Sequence, residues 1–218
     1  MHAVIFAGGT LRPGKAVDAA IAAADLIIAA DRGTMEALQR GYTPAIIVGD
    51  FDSLALPSNE LKKMRSELVR AAVEKDETDT ELAVQVAIAR GADSITLLGG
   101  LGGERFDHTM ANILLLAGFE DVSIRIVDGP SVCWLLRGPG STCIQGQPAD
   151  LLSLFPLTGE ARGVRTKGLH YPLNDETLRF GKPRGVSNAF TDEQAEVSLV
   201  DGMLLIIYTN FQELGSSS

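Results

Sequence analysis

The stretch LIIAADRGTMEALQRGYTPAIIVGDFDS, residues 26–53, decides the fold. Leu26 to Ala30 is an apolar run without polar alternation, the pattern of a strand buried on both faces. Asp31 and Gly33 supply turn chemistry. Thr34 to Arg40 is short and helical, and Gly41 is placed to stop it. Ala45 to Val48 is a second apolar run, and it ends on Gly49-Asp50-Phe51-Asp52-Ser53. Strand, helix, strand implies a parallel pair, and each strand hands over to a loop that carries aspartate.

The same rhythm extends outward. HAVIFAGG reads as a first strand rather than a leader, and Val17 to Ala24 as an Ala-rich helix. Glu60 to Leu68 reads as helical. Thr78 to Arg90 reads as an amphipathic helix with Leu82, Val86 and Ala89 on one side. Ser94 to Leu98 and Val122 to Val127 read as strands around a helix from Thr109 to Leu116. Near Gly129-Pro130 helical periodicity fades. Short apolar runs follow at Val132 to Leu136, Leu151 to Phe155, Gly163 to Lys167, Val197 to Val200 and Met203 to Tyr208. Asp201-Gly202 between the last two is a hairpin signal. The expected fold is an α/β N-terminal domain with a mostly parallel, doubly wound sheet over residues 1–129. An antiparallel all-β sandwich or roll over 130–212 follows, with a flexible tail over 213–218.

The chain has 218 residues, 45% hydrophobic and 22% charged, with a formal net charge of −9. That length allows two small domains with real cores. No basic stripe interleaved with aromatics is present, so nucleic acid is not an expected partner. No apolar run approaches the ~20 residues that span a bilayer, so neither is a membrane. Cys133 and Cys143 form no CxxC and read as reduced thiols in a cytoplasmic protein. Net acidity means an anionic substrate needs a cation or local Lys and Arg to approach.

Five aspartates carry the chemistry: Asp31, Asp50, Asp52, Asp79 and Asp107. Ligands of open α/β sheets bind outside the carboxyl ends of the strands. Carboxylates gathered there repel one another unless a hard cation intervenes, and oxygen-only ligands with substrate phosphates suit Mg2+. Asp50 and Asp52, two apart in an extended loop, point the same way and can share a metal. An Asx turn is the simpler alternative for them. In KDETDTE, Asp79 is assigned to the metal. Asp76 and Thr78 are supports or helix caps, and Lys75 beside a helix start suits phosphate oxygens. In GGLGGERFDH, Gly102 and Gly103 let backbone approach a ligand and Arg105 is suited to grip phosphate. Asp107 there orients a hydroxyl, acts as a base or supports the metal. Residues 9–15 approach a phosphate-binding P-loop, but Ala16 stands where its hydroxyl is required. The loops KGLHYPL and GVSNAF combine turn formers, polar groups and an aromatic. Such loops suit a flat heterocycle, with an aromatic such as Phe190 to stack on the ring and groups such as Ser187 and Asn188 to bond its edge; taken alone, ordinary loops between strands are the simpler reading.

In this order, AADRG, GDFDS, KDETDTELA, the glycine-rich stretch ending RFDHTMAN, GLHYPL and GVSNAF resemble thiamine pyrophosphokinase (thiamine diphosphokinase). The resemblance implies a homodimer with an N-terminal catalytic domain that binds ATP and Mg2+. It implies transfer of the pyrophosphoryl group of ATP to the hydroxyl of thiamine, releasing AMP. Asp50, Asp52 and Asp79 then fall on metal positions, Asp31 and Asp107 on further active-site carboxylates, and Ser187 and Asn188 on the thiamine side. Two other readings use the same residues: a Mg-dependent nucleotide pyrophosphohydrolase, and a non-catalytic thiamine- or nucleotide-binding sensor.

Overall fold

The computed structural model describes residues 1–51, 63–71 and 76–214. The chain separates into two compact units, residues 1–129 and 130–218.

The first unit runs β1 (His2–Phe6), α1 (Lys15–Ala22), β2 (Leu26–Ala30), α2 (Gly33–Gln39), β3 (Ile46–Gly49), β4 (Glu67–Arg70), α3 (Asp79–Ala89), β5 (Ser94–Leu98), α4 (Phe106–Leu115) and β6 (Ser123–Asp128). Its strands pair in the order β6-β5-β1-β2-β3-β4, all parallel. The central strands are apolar on both faces because helices cover them: Ala3 to Phe6, Ile95, Leu97 and Leu98 are fully buried. Thr78 caps α3, its hydroxyl accepting from the Glu81 N–H at 3.1 Å. This Thr-x-x-Glu spacing is that of a capping box. α3 buries Thr80, Ala83, Val84 and Ala87, not the expected Leu82, Val86 and Ala89. Leu82, Val86 and Ala89 instead line a groove beside β4.

β4 corrects a second expectation. Glu67 and Leu68 belong to an edge strand paired with β3, not to a helix; residues 60–62 of that expected helix lie outside the described residues.

The second unit is antiparallel. It comprises β7 (Ser131–Arg137), β8 (Gly140–Gln145), β9 (Leu151–Pro156), β10 (Glu160–Lys167), β11 (Glu176–Arg179), β12 (Asn188–Ala189), β13 (Gln194–Leu199), β14 (Met203–Thr209) and a short α5 (Phe211–Leu214). One sheet has the order β12-β9-β14-β7; the other, β11-β10-β13-β8. Leu152, Leu154, Leu204 and Ile206 from the first share one core with Val164, Leu178, Ala195 and Val197 from the second.

The Asp201-Gly202 hairpin is not formed. β13 and β14 belong to different sheets, and Asp201 bridges to Arg162 on β10. Gly202, at φ +93°, turns the chain from one sheet to the other, where a Cβ would stand 2.4 Å from the Glu160 carbonyl oxygen. A two-residue I′ turn needs positive φ at both central residues, and Asp201 is not among the positive-φ residues. Glu213 and Leu214, expected in a flexible tail, are helical; residues 215–218 lie outside the described residues.

Asp150, 1% exposed at the entry to β9, ties the end of the unit together. Its carboxylate accepts from Gln147 N at 2.8 Å, Phe211 N at 2.9 Å and the Tyr208 hydroxyl at 2.6 Å. Burial, reinforced by Asp150, pushes the Tyr208 phenol up to about 12. Its unfolded value is ~10, so stability linked to the neutral phenol is intact below pH ~10 and lost as pH rises toward 12. Asp150→Ala strands three donors and is expected to lower unfolding free energy by about 3 kcal/mol in a urea titration at pH 7.

Candidate active site

The strand order of the first unit reverses at β1: β2, β3 and β4 follow on one side, β5 and β6 on the other. The loops after β1 and β5 meet at this switch point, where open α/β sheets bind ligands. They meet backbone to backbone. Ala7 N donates to Leu98 O at 2.8 Å and Gly9 N to Gly99 O at 3.1 Å. A Cβ on Gly9 would stand 2.0 Å from Gly102 O, and one on Gly102 2.1 Å from Thr10 O. Gly102 therefore serves loop-to-loop contact first. Gly103, at φ +114°, occupies backbone space that side chains rarely enter.

The loop after β1 is also fastened from outside. Arg12 donates from N and Nε to the Asp128 carboxylate at 2.9 and 2.7 Å, and Arg40 donates to Leu11 O at 2.8 Å. Asp128 is 3% exposed. It closes β6, and the strand-end position that marks Asp31 and Asp50 marks it as well.

β1, β2 and β3 end together. Gly33 has no room for a Cβ, which would fall 2.0 Å from Phe6 O, so the turn after β2 lies across the end of β1. Asp31, at φ +44°, donates its N–H to Val48 O at 2.8 Å. A Cβ on Gly49 would come within 3.3 Å of the Asp31 Cβ. Asp31 thus stands against the residue before Asp50. Asp79 opens α3, with Asp76 in the turn before its Thr78 cap. Asp52 and Lys75 lie outside the described residues. Among the described residues no three His, Cys, Asp or Glu side chains enclose a metal position. The donors present at these strand and helix ends, Asp31, Asp50 and Asp79, are all oxygen, the chemistry that fits Mg2+.

Arg105 and Asp107 are committed to each other. Nε donates to Oδ1 at 2.9 Å and Nη2 to Oδ2 at 2.6 Å, both side chains being exposed. The Arg105 guanidinium holds the Asp107 carboxyl down to about 2. Of the three roles open to Asp107, that of a base is the least supported, since so acidic a carboxyl accepts protons poorly near neutrality.

In the second unit a cleft of about 350 Å³ is lined by Leu152, Leu154, Tyr171, Pro172, Val186 and Asn188, among others. The GLHYPL and GVSNAF loops form its mouth. Asn188 clamps them: Oδ1 accepts from Tyr171 N at 3.0 Å and Nδ2 donates to Tyr171 O at 2.7 Å. Ser187 sits at φ +57° and donates its N–H to Ser153 Oγ at 3.0 Å. Phe190 is placed differently from the stacking role expected of it. Its ring is 3% exposed in the core, edge-on to Tyr208 at 5.7 Å. Tyr171, 68% exposed, is the aromatic at the cleft. Its hydroxyl, tolerant of water, is the signal that separates it from Phe190.

A family profile described as thiamin pyrophosphokinase, catalytic domain, matches residues 17–127, and one described as thiamin pyrophosphokinase, vitamin B1 binding domain, matches residues 142–204. Thiamine pyrophosphokinase of Bacillus subtilis (strain 168) is 30% identical over 190 residues, covering 84% of this chain and 86% of that protein. The crystal structure of thiamine pyrophosphokinase from Bacillus subtilis is similar with a TM-score of 0.83 at 28% identity, covering 97% of this chain and 100% of that one. Thiamin pyrophosphokinase from Geobacillus thermodenitrificans gives 0.81 at 29% identity, covering 96% and 98%.

The Arg105–Asp107 pair is directly testable. In Arg105→Met the Asp107 carboxyl is expected to titrate near its ordinary ~3.9, against about 2 in the parent protein. A carboxyl-carbon NMR titration reads the difference.

Proposed function

The chain belongs to the thiamine pyrophosphokinase family, and we propose that its first unit binds ATP with Mg2+ while the cleft of its second unit receives thiamine. The protein is an enzyme that transfers the pyrophosphoryl group of ATP to the hydroxyl of thiamine, giving thiamine diphosphate and AMP. The observation that best supports the division of labour is the meeting of the β1, β2 and β3 ends, which sets Asp31 beside the Gly49-Asp50 turn.

Asp50, Asp52 and Asp79 would hold Mg2+, with Asp31 beside them. Bound there, the cation offsets phosphate charge, the main demand of phosphoryl-type transfer. The thiamine hydroxyl oxygen bonds to the β-phosphorus, giving up its proton to solvent, in line with the bond to the oxygen bridging toward the α-phosphate. That bond breaks, and AMP departs with the bridging oxygen. Arg105, oriented by Asp107, and Lys75 would bind phosphate oxygens, with Gly102 and Gly103 shaping the loop that carries Arg105. Thr78 and Asp76 fix the start of α3. Ser187 and Asn188 order the thiamine loop. Thiamine is cationic, and the net charge of −9 favours its approach. The strand order supports the doubly wound description of the parallel sheet. A homodimer and a cytoplasmic location complete the proposal. No helix among the described residues is long and apolar enough to cross a membrane.

Product analysis by mass spectrometry with ATP, MgCl2 and thiamine is expected to give thiamine diphosphate and AMP in equal amounts. AMP without thiamine diphosphate would indicate the pyrophosphohydrolase, and binding without turnover the sensor. Ser187→Ala is expected to raise the KM for thiamine several-fold and leave the KM for ATP unchanged. Equal changes in both would move the thiamine site elsewhere.

A further inference from the structure

The chain leaves β3 through Gly49 at φ +155° and, one residue beyond Asp50, Phe51 at φ +66°. A bulky side chain in the left-handed region is a true outlier, since its Cβ crowds the following carbonyl. Such a conformation persists only where its surroundings over-determine it. Among the described residues two contacts hold Phe51. Its ring packs, beside Met64, against the fully buried Ile47. The Arg70 guanidinium stands over the same ring, 5.4 Å from its centroid, and supplies a cation–π attraction. The strands beneath are locked as well, with Ala71 N donating to Gly49 O at 3.0 Å. On the other side of Asp50, Gly49 lies so close to Asp31 that a Cβ would come within 3.3 Å of its Cβ. Asp50 is therefore fixed through both of its neighbours.

We propose that Phe51, held by Arg70, is a positioning residue whose left-handed backbone sets the direction in which Asp50 presents its carboxylate to a divalent cation. This rests on the assignment of Asp50 to the metal made above. Packing alone does not account for the arrangement. A phenylalanine that served only to cover Ile47 could do so from relaxed backbone, whereas aiming a flanking carboxylate needs a fixed, sharply turned peptide. Arg70 is the unusual partner: it lies on the exposed edge strand β4, and its guanidinium is available to the ring only because β4 pairs alongside β3.

The test uses Phe51→Leu, which keeps an apolar side chain over Ile47 but removes the ring, together with Phe51→Tyr, which keeps it. Arg70→Met, at an exposed position, removes the cation without touching Ile47. Mn2+ binding to each purified protein, followed by electron paramagnetic resonance of the free ion, gives a readout independent of turnover. Phe51→Leu is expected to weaken Mn2+ binding roughly tenfold, the loss typical when a residue orienting a metal ligand is removed. Arg70→Met shifts it in the same direction, and Phe51→Tyr restores it. The Mg2+ concentration for half-maximal activity rises in parallel, with the KM for thiamine unchanged. Parent-like Mn2+ affinity in Arg70→Met and in a folded Phe51→Leu overturns the proposal; if Phe51→Leu does not fold, Arg70→Met decides alone. A parent protein that makes no thiamine diphosphate, yet whose variants show these Mn2+ shifts, overturns the assigned activity and leaves the positioning role standing.

Discussion

Two loops that touch with only backbone between them govern the first unit. The Thr10 and Gly102 carbonyls occupy the space where side chains on Gly102 and Gly9 would begin. A single methyl at either position drives the loops apart, because neither partner atom belongs to a flexible side chain. Much of the surrounding order serves this contact. Arg12 and Asp128 anchor one loop from the far side, and Arg40 holds Leu11. The strand ends beneath are kept level by Gly33 crossing Phe6 and by Gly49 beside Asp31. A sheet whose strands finish together can present carboxylates from several strands to one small ion.

The second unit solves a different problem. Its cleft is walled by β9 but mouthed by loops, and loops are held less firmly than strands. Side-chain groups supplement the short β12–β9 ladder. Asn188 binds both the N–H and the carbonyl of Tyr171, and Asp150 gathers donors from the turn before it and from the end of β14 leading into α5. The Asn188 clamp joins residues 17 apart across the mouth of the cleft, and the Asp150 cluster ties the entry of β9 to the end of β14.

These differences explain what the sequence disclosed. β1, β2, β3 and β5 are continuous apolar runs, because a parallel strand covered on both faces admits little else. β4 escaped notice because Glu67 to Arg70 is short and borders solvent, where alternation carries little information. Asp201-Gly202 has the local chemistry of a hairpin, but which strands pair is a tertiary choice, and here the chain changes sheet. The inward face of α3 differs from the expected one because register, not residue type, separates Val84, which is buried, from Val86, which is not. Asp31 and Asp50 were legible from their place after strands. The mutual grip of Arg105 and Asp107 was not, since it depends on the helix beginning at Phe106, with Arg105 as its extended N-cap, rather than at the expected Thr109. Nor was the meeting of Phe51 with Arg70, which depends on a strand pairing the sequence did not reveal.

The position of β14 has a consequence for how the polypeptide is made. It is the last strand in sequence, yet it lies between β7 and β9, joining Met203 to Arg137 and Thr209 to Ser131. The parallel sheet can form from residues 1–128 alone; the sheet of the second unit needs residue 209. Until β14 arrives, the facing edges of β7 and β9 carry open backbone donors and acceptors. A chain in that interval offers the kind of strand edge that other chains pair with, and the finished fold covers it by placing its last strand between them.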